Sequence, residues 1–317
     1  MKALADITEA IGNTPLVELT RFASGLDGRI LAKLDYLNPG FSKKDRAALQ
    51  IILDAERDGR LARGQPVVEL TSGNMGTGLA IVCATRGYPF YAVMSRGNSP
   101  ERARMMRCLG AEVILVDQAS GSRPGEVSGE DLERVEQATR KLVRELGAFR
   151  ADQFLLEGNV RAHELGTGPE LIEQSGGTLN AFCDFVGSGG TLGGVTRALK
   201  RHSPQIRCYA IEPEGAEALA RGRRNQAAHP IQGGGYNRPE LHALDGVALD
   251  GYLKVSGRDA IEACRRLAEE EGIFAGFSAG ANAAGALQLL RGELSGATIA
   301  IVMCDSGLKY LSTSLWP

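Results

Sequence analysis

Short apolar runs alternate with amphipathic stretches along almost the whole chain. The runs PVVELT (66–71), FYAVMS (90–95), AEVILV (111–116), AFCDFVG (181–187), IRCYAIEP (206–213) and ATIAIVMCD (297–305) read as strands. Within them hydrophobic residues follow one another instead of alternating with polar ones, the pattern of strands covered on both faces. Between them lie segments of helical period, such as SPERARMMRCLG (99–110) and DAIEACRRLAEEEG (259–272). Strand–helix alternation of this kind predicts an α/β protein with twisted, mostly parallel sheets flanked by helices. One tract, DQASGSRPGEVSGEDLERVEQ (117–137), is polar and Gly/Ser-rich before it becomes helical. A domain break or mobile flap is expected near 117–150.

Length adds that the chain is too long for one core: 317 residues favour two domains. With 23% charged and 43% hydrophobic residues, the composition is that of an ordinary globular protein. Lys plus Arg (36) nearly balances Asp plus Glu (38), so no strong field favours nucleic acid or an anionic membrane. A small-molecule partner is expected instead. Residues 1–20 show no basic segment followed by an apolar run, and no apolar stretch approaches the roughly 18 residues of a membrane span. The expected location is the cytoplasm. Cysteines at 83, 108, 183, 208, 264 and 304 form no C-x-x-C pair, and the histidines form no H-E-x-x-H. No metal site is expected, and the aliphatic surroundings of most cysteines point to buried thiols.

Three glycine loops carry candidate chemistry. TSGNMGTGLAIVCA (71–84) follows a strand and opens a helix, so backbone N–H groups and the helix dipole point at one place. Thr71, Ser72 and Asn74 add side-chain donors there; a plain helix cap is the rival interpretation. FVGSGGTLGGVTRALK (185–200) repeats the arrangement, with the Ser188 and Thr191 hydroxyls beside the glycine amides. A dinucleotide fingerprint would need a glycine where Leu192 stands, although Glu212 imitates its ribose-binding acid. The loop suits a phosphate monoester better. In EGIFAGFSAGANAAGALQLL (271–290) small residues mark a close helix approach, and Ser278 sits at its mouth as an N-cap or a ligand contact.

Lys43 and Lys44 stand side by side in NPGFSKKDRAA (38–48). Ser42 and Asp45 fit a capping box, with Ser42 as N-cap. Stepping by helical period, Lys44 lies over Ala48, Ile51 and Ala55, and Lys43 over Ala47, Gln50 and Asp54. Lys44 is therefore expected to point inward and Lys43 toward water. Burial and the positive end of the helix both disfavour an ammonium at Lys44. Such a lysine is suited to forming a Schiff base with a carbonyl cofactor; the alternative is a lysine that snorkels past the apolar face.

These segments together resemble the cysteine synthase / cystathionine β-synthase family, fold type II enzymes that use pyridoxal 5′-phosphate and share the fold of tryptophan synthase β. The likeness spans the chain: IGNTPLVEL (11–19), NPGFSKKDRAA (38–48), TSGNMG (71–76), QFLLEGNVRAHELGTGPEL (153–171), GSGGT (187–191), IQGGGY (231–236), GFSAGA (276–281) and DSGLKYLST (305–313) match family motifs in order. The resemblance implies a smaller domain at 45–148 and a larger cofactor-binding domain formed by 1–44 and 149–317, in a homodimer. It implies that Lys44 is the catalytic, Schiff-base lysine. It places Asn74 on the cofactor's phenolic oxygen, Gly187, Ser188, Gly189, Gly190 and Thr191 around its phosphate, and Ser278 at its pyridine nitrogen. Thr71, Ser72, Met75 and Gln153 would lie at the substrate's α-carboxylate. A hydroxyl at the ring nitrogen favours elimination over transamination or racemisation.

The implied reaction is β-replacement on an activated L-serine (O-acetylserine or O-phosphoserine) through an α-aminoacrylate, giving cysteine or a related β-substituted alanine. A nitrogen nucleophile, as in diaminopropionate-type synthesis, and net β-elimination are the alternatives; a catalytically idle paralogue and a nucleotide-binding protein are the rivals from other classes. Several positions depart from the family pattern. Met75 replaces a usual threonine, Phe41 and Lys43 stand where small or apolar residues are usual, and GGGY replaces G-I-G-A. The tract at 117–147 is longer than in simple cysteine synthases.

Overall fold

The protein is described from a computed structural model that covers residues 3–122, 129–225 and 229–316. The first strands are β1 (Leu16–Glu18) and β2 (Arg29–Lys33). Next come α1 (Lys44–Arg57), β3 (Val67–Leu70), α2 (Asn74–Arg86), β4 (Phe90–Ser95) and α3 (Pro100–Cys108). They are followed by β5 (Glu112–Val116), α4 (Gly129–Leu146), β6 (Phe149–Arg150) and α5 (Gly158–Ala162). A single π-helical turn, His163–Thr167, leads into α6 (Gly168–Gln174), β7 (Ala181–Phe185), α7 (Gly190–His202) and β8 (Arg207–Pro213). The chain closes with α8 (Ala218–Arg221), β9 (Gly251–Val255), α9 (Gly257–Glu271), α10 (Phe277–Arg291) and β10 (Thr298–Val302).

Two compact units form. One holds residues 1–11 and 38–158, the other 12–37 and 159–317. The first unit thus takes in 1–11, 38–44 and 149–158 as well as the 45–148 expected from the resemblance, so Lys44 lies inside it. Its sheet runs β5-β4-β3-β6, all parallel. α1 and α2 close one face around Ile51, Ile52, Met75 and Leu79, and α4 closes the other through Val135 against Val68 and Val93. The tract around 117–150 therefore contains no unit boundary, because α4 is a packed layer of this sheet; residues 123–128 of the expected flap lie outside the described residues. The later part of the tract is helical, as its sequence indicates, and its apolar positions are spaced helically among charged ones, so the helix covers the sheet instead of marking a break.

The second unit carries the sheet β1-β2-β10-β7-β8-β9, parallel except for the antiparallel β1–β2 pair. β7 and β10 are buried at every position, which is why their sequences show no alternation. α9 starts where the Ser256 hydroxyl accepts the Asp259 amide at 3.0 Å, an N-cap that the chain supplies in sequence. In both units the loops that leave the C-terminal ends of central parallel strands are glycine-rich. Ligands of open α/β sheets bind there. Among the described residues no helix is long and apolar enough to cross a membrane.

Candidate functional site

In the first unit, packing of α2 on α1 brings Lys44 and Asn74 to neighbouring first turns. Gly78 follows Asn74 by one turn on the same face of α2. A Cβ there would meet the Ala48 side chain and Asp45 backbone at 3.1 Å and the Lys44 carbonyl oxygen at 3.2 Å. Only a bare backbone lets the helices approach this closely.

The helix begins one residue later than the capping box predicts. Lys43 is the N-cap residue, in αR conformation; the Ser42 hydroxyl accepts the Lys44 amide at 3.3 Å, and the Asp45 carboxylate accepts the Gly40 amide. The expectation for the lysine pair is corrected too. Lys43 is buried, at 9% exposure, and Lys44 is half-buried. The polar row under Lys43 is an interior one: Ala47 is fully buried, and Asp54 is buried while accepting from Gln50 at 2.8 Å and pairing with Arg57 at 3.0 Å. Polarity along that row reflects partners supplied by the helix itself, not water.

Before the lysines stands Phe41, at φ +61 with 46% of its surface exposed. A left-handed backbone at a bulky residue costs about 1–2 kcal/mol, and little burial offsets it here. Phe41→Gly should leave the fold intact and shift stability by no more than about 1 kcal/mol, toward stabilisation, as read by denaturant unfolding. A loss well beyond that would mean that the aromatic ring, and not the turn, holds this loop.

The loop after β3 turns through Gly73 at φ +139, a conformation reserved for glycine, before α2 starts. Thr71 is buried, and its hydroxyl oxygen accepts the amides of Gly73 at 3.0 Å and Gly76 at 2.9 Å. Both lone pairs are then taken, so the Thr71 proton is left to donate. The carbonyl of Ser72 accepts from Arg102 Nη1 at 2.8 Å, which pins the loop to α3. The Met75 side chain is 2% exposed and packs in the apolar cluster with Met94 and Met106, so its backbone is what it presents to the loop. As the second residue of α2 it falls on the face turned to the core. Gln153 is half-buried, with its amide directed to Glu69 at 3.4 Å.

In the second unit the loop after β7 enters α7 through Gly189 at φ +84. A Cβ on Gly187 would meet the Gly233 carbonyl oxygen at 2.5 Å, and one on Gly190 the Asn159 side chain at 2.3 Å. The buried Ser188 hydroxyl accepts from Asn159 Nδ2 at 2.8 Å. The Thr191 hydroxyl lies 3.2 Å from His163 Nε2, whose Nδ1 lies 2.9 Å from Thr167 in the π-helical turn. Gly276 is the N-cap of α10, so Ser278 is not the cap but the second residue of its first turn, 8% exposed. One turn on, Asn282 Oδ1 accepts the Phe185 amide at 2.6 Å, while its Nδ2 donates to Asp184 at 3.0 Å and to the Val302 carbonyl at 2.8 Å. That clamp fastens α10 to the end of β7, one turn after Ser278. Glu212, the imitation ribose acid, accepts the Leu219 and Ala220 amides at 2.8 and 2.9 Å and so caps α8; burial pushes its carboxyl upward.

Arg102 carries no signal in the sequence pattern, and Asn159 and His163 lie in the matched segment 153–171 with no role assigned to them there. Asn282 is a polar residue four positions after Ser278 in a stripe of alanines and glycines. The cysteines are inert thiols where burial lifts them, Cys83 and Cys264 to about 12 and Cys208 to about 11, while Cys108 is exposed.

A family model described as "Pyridoxal-phosphate dependent enzyme" matches residues 7–305. The chain belongs to the pyridoxal-phosphate-dependent enzyme family. This pyridoxal-phosphate enzyme is 40% identical over 316 residues to the cysteine synthase of Staphylococcus aureus (strain Mu50 / ATCC 700699), covering 99% of this chain and 98% of that protein. Among solved structures it is similar to O-ureido-L-serine synthase, at 38% identity and TM-score 0.89 over 99% of this chain and 95% of that one. It is also similar to O-acetyl serine sulfhydrylase isoform 3 from Entamoeba histolytica, at 32% identity and TM-score 0.90 over 99% and 92%. The fold is that of the fold type II enzymes, and the chain is a cysteine synthase-like, β-replacing pyridoxal-phosphate enzyme. The residues present fit the cofactor. A loop with no room for Cβ at Gly187 or Gly190, flanked by two buried hydroxyls at a helix start, suits a phosphate monoester.

Proposed function

We propose that this pyridoxal-phosphate enzyme replaces the Cβ substituent of an O-activated L-serine, O-acetyl- or O-phospho-L-serine, with a sulfur nucleophile to give cysteine or a related β-substituted alanine. The observation that carries the amino-acid substrate is the Thr71 hydroxyl, forced by two backbone amides into a donor role beside Ser72. A loop of donors at a helix N-terminus suits an α-carboxylate. Thr71, Ser72, the Met75 backbone and the Gln153 side chain would hold that group. Gly187, Ser188, Gly189, Gly190 and Thr191 would hold the cofactor's phosphate, Ser278 its ring nitrogen and Asn74 its phenolic oxygen. Bound pyridoxal phosphate supplies the electron sink for the pair released at Cα. Lys44 Nζ would hold the carbonyl carbon at rest and take the Cα proton as the Cβ–O bond breaks and acetate or phosphate leaves. When the nucleophile has bonded to Cβ, Lys44 returns a proton to Cα. Arg102, by fixing the Ser72 carbonyl, keeps the carboxylate loop in shape for both half-reactions.

A second reading keeps the same half-reaction with a nitrogen nucleophile: Phe41 and Lys43 depart from the family pattern on the loop that leads to Lys44, and that departure tells against sulfide without naming its replacement. O-ureido-L-serine synthase, by its name, makes a product other than cysteine. The test is a matrix of O-acetyl- and O-phospho-L-serine against sulfide, thiols and amines, with products read by mass. Cysteine from sulfide, or a thioether from an added thiol, as the main product supports the first reading, and a diaminopropionate-type product the second. Pyruvate alone, whatever the nucleophile, would replace both with net elimination.

A further inference from the structure

β6 pairs with β3 in parallel register, and its amides follow a fixed rhythm. The Phe149 amide donates to the Pro66 carbonyl at 2.8 Å and the Ala151 amide to the Val68 carbonyl at 3.0 Å. The next step would take the Gln153 amide to the Leu70 carbonyl. It goes instead to a side chain, Glu69 Oε1, at 3.4 Å. Glu69 is 1% exposed, and its Oε2 is buried with no hydrogen-bond partner. A buried carboxyl with one oxygen orphaned is a costly thing to keep inside a sheet.

We propose that Glu69 is a positioning residue for the substrate's α-carboxylate: it draws the Gln153 amide off the ladder and so sets where Gln153 stands beside the Thr71–Ser72 loop. The inference rests on the proposed function for the roles of Thr71, Ser72 and Gln153. Glu69 and Thr71 are two apart on one strand path and therefore share a face of the sheet. Burial, then the nearby Asp152 carboxylate, raise the Glu69 carboxyl well above its ordinary value of 4.5, against a smaller opposing effect of Arg150. Arg150 is itself engaged by Glu136 of α4 at 2.6 Å and by Asp152 at 3.2 Å. From α1 and α2, on the face that Glu69 shares, come apolar Ile51, Met75 and Leu79, with Lys44 and Asp45 at the start of α1. A neutral carboxyl accepts the amide without setting a negative charge beneath a negatively charged substrate. The long 3.4 Å contact suits a neutral acceptor, since charge-assisted bonds are shorter.

The experiment compares Glu69→Gln and Glu69→Leu with the unchanged chain. Gln keeps a carbonyl acceptor and neutrality; Leu keeps bulk and neutrality but loses the acceptor. Hydrogen exchange at the Gln153 amide, measured on the apoprotein, should quicken in the Leu variant and return in the Gln variant. In the loaded enzyme, Leu should raise KM for the activated serine about three- to tenfold at pH 7, the worth of one neutral hydrogen bond, with kcat within about twofold. Gln should keep KM and also abolish a rise in KM that the unchanged chain shows at alkaline pH. All other groups are common to the three proteins, so only the difference profile reports Glu69. The stability sign is fixed as well. The folded state holds a proton that the unfolded chain releases above about 4.5, so the unchanged chain loses stability relative to Glu69→Gln as pH rises. Unaltered exchange at Gln153 in the Leu variant, or a Gln variant that behaves like Leu, overturns the proposal. If no O-activated serine is turned over by the unchanged chain, the functional assignment fails, while the exchange result still decides whether Glu69 holds Gln153.

Discussion

A Lys44→Ala chain should retain no cofactor covalently, and its turnover should fall by at least about 10²–10⁴-fold, the usual worth of a positioned proton-transfer group. Reduction with borohydride, digestion and peptide mass mapping would read the attachment; a Lys43→Ala chain serves as the control and should remain labelled at residue 44. The contrast between adjacent lysines is physical. Lys44 opens α1 next to the bare backbone of Gly78, with α2 and Asn74 alongside, and stays half-exposed. Lys43 is the more buried of the two and caps the helix end. A buried lysine in this position belongs to the scaffold, so Lys43→Ala should show its effect in stability before it shows in chemistry. Label transferred to residue 43, or persisting after Lys44→Ala, would remove the catalytic assignment. Since Lys44 is half-exposed, its replacement should leave unfolding by heat nearly unchanged, which separates loss of attachment from loss of fold.

The parts of the fold that the sequence shows are those in which one element alone determines the pattern. β4 and β10 are covered on both sides, so FYAVMS and TIAIV are apolar without alternation and are found directly. β9, at the sheet edge, alternates exposed Tyr252 and Lys254 with inward residues and blends into the loops around it. β6 has two residues and no periodicity to detect. α4 is legible as a helix, but its polar lead-in gives no sign that it covers the sheet. The glycine loops were legible because close approach and positive φ select glycine whatever lies nearby. The side chains that support those loops were not. Glu69 meets Gln153 across 84 positions, Asn282 meets Phe185 across 97, and Arg102 meets Ser72 across 30. A one-dimensional pattern records what an element turns toward its own neighbours, not what a distant strand lays against it. The same blindness put Lys43 in water: Asp54 and Gln50 read as a solvated row, yet α1 is enclosed on that side as well.

Gly190→Ala should weaken pyridoxal-phosphate binding at least tenfold and cost about 1–3 kcal/mol of stability, the usual price of overpacking an interior. The new Cβ would lie 2.3–2.5 Å from three atoms of the Asn159 side chain, itself 1% exposed and without room to swing aside. Displacing Asn159 removes the donor that orients the Ser188 hydroxyl at 2.8 Å, so strain and loss of the anion site arrive together. They can be separated. Adding Asn159→Ala to Gly190→Ala makes space for the methyl group, so much of the stability should return. Affinity should not return, because the Ser188 hydroxyl then lacks its partner, so the double variant should bind pyridoxal phosphate no better than Gly190→Ala alone. Gly121→Ala, at a position where a Cβ meets nothing within 4 Å, controls for the mere addition of a methyl group. Cofactor titration by absorbance and denaturant unfolding supply the two readouts. A Gly190→Ala chain that binds pyridoxal phosphate as tightly as the unchanged protein would show that the loop after β7 does not hold the phosphate. The binding assignment of Gly187, Ser188, Gly189, Gly190 and Thr191 would then fall as a group, because the five are consecutive residues of one loop and would meet one phosphate.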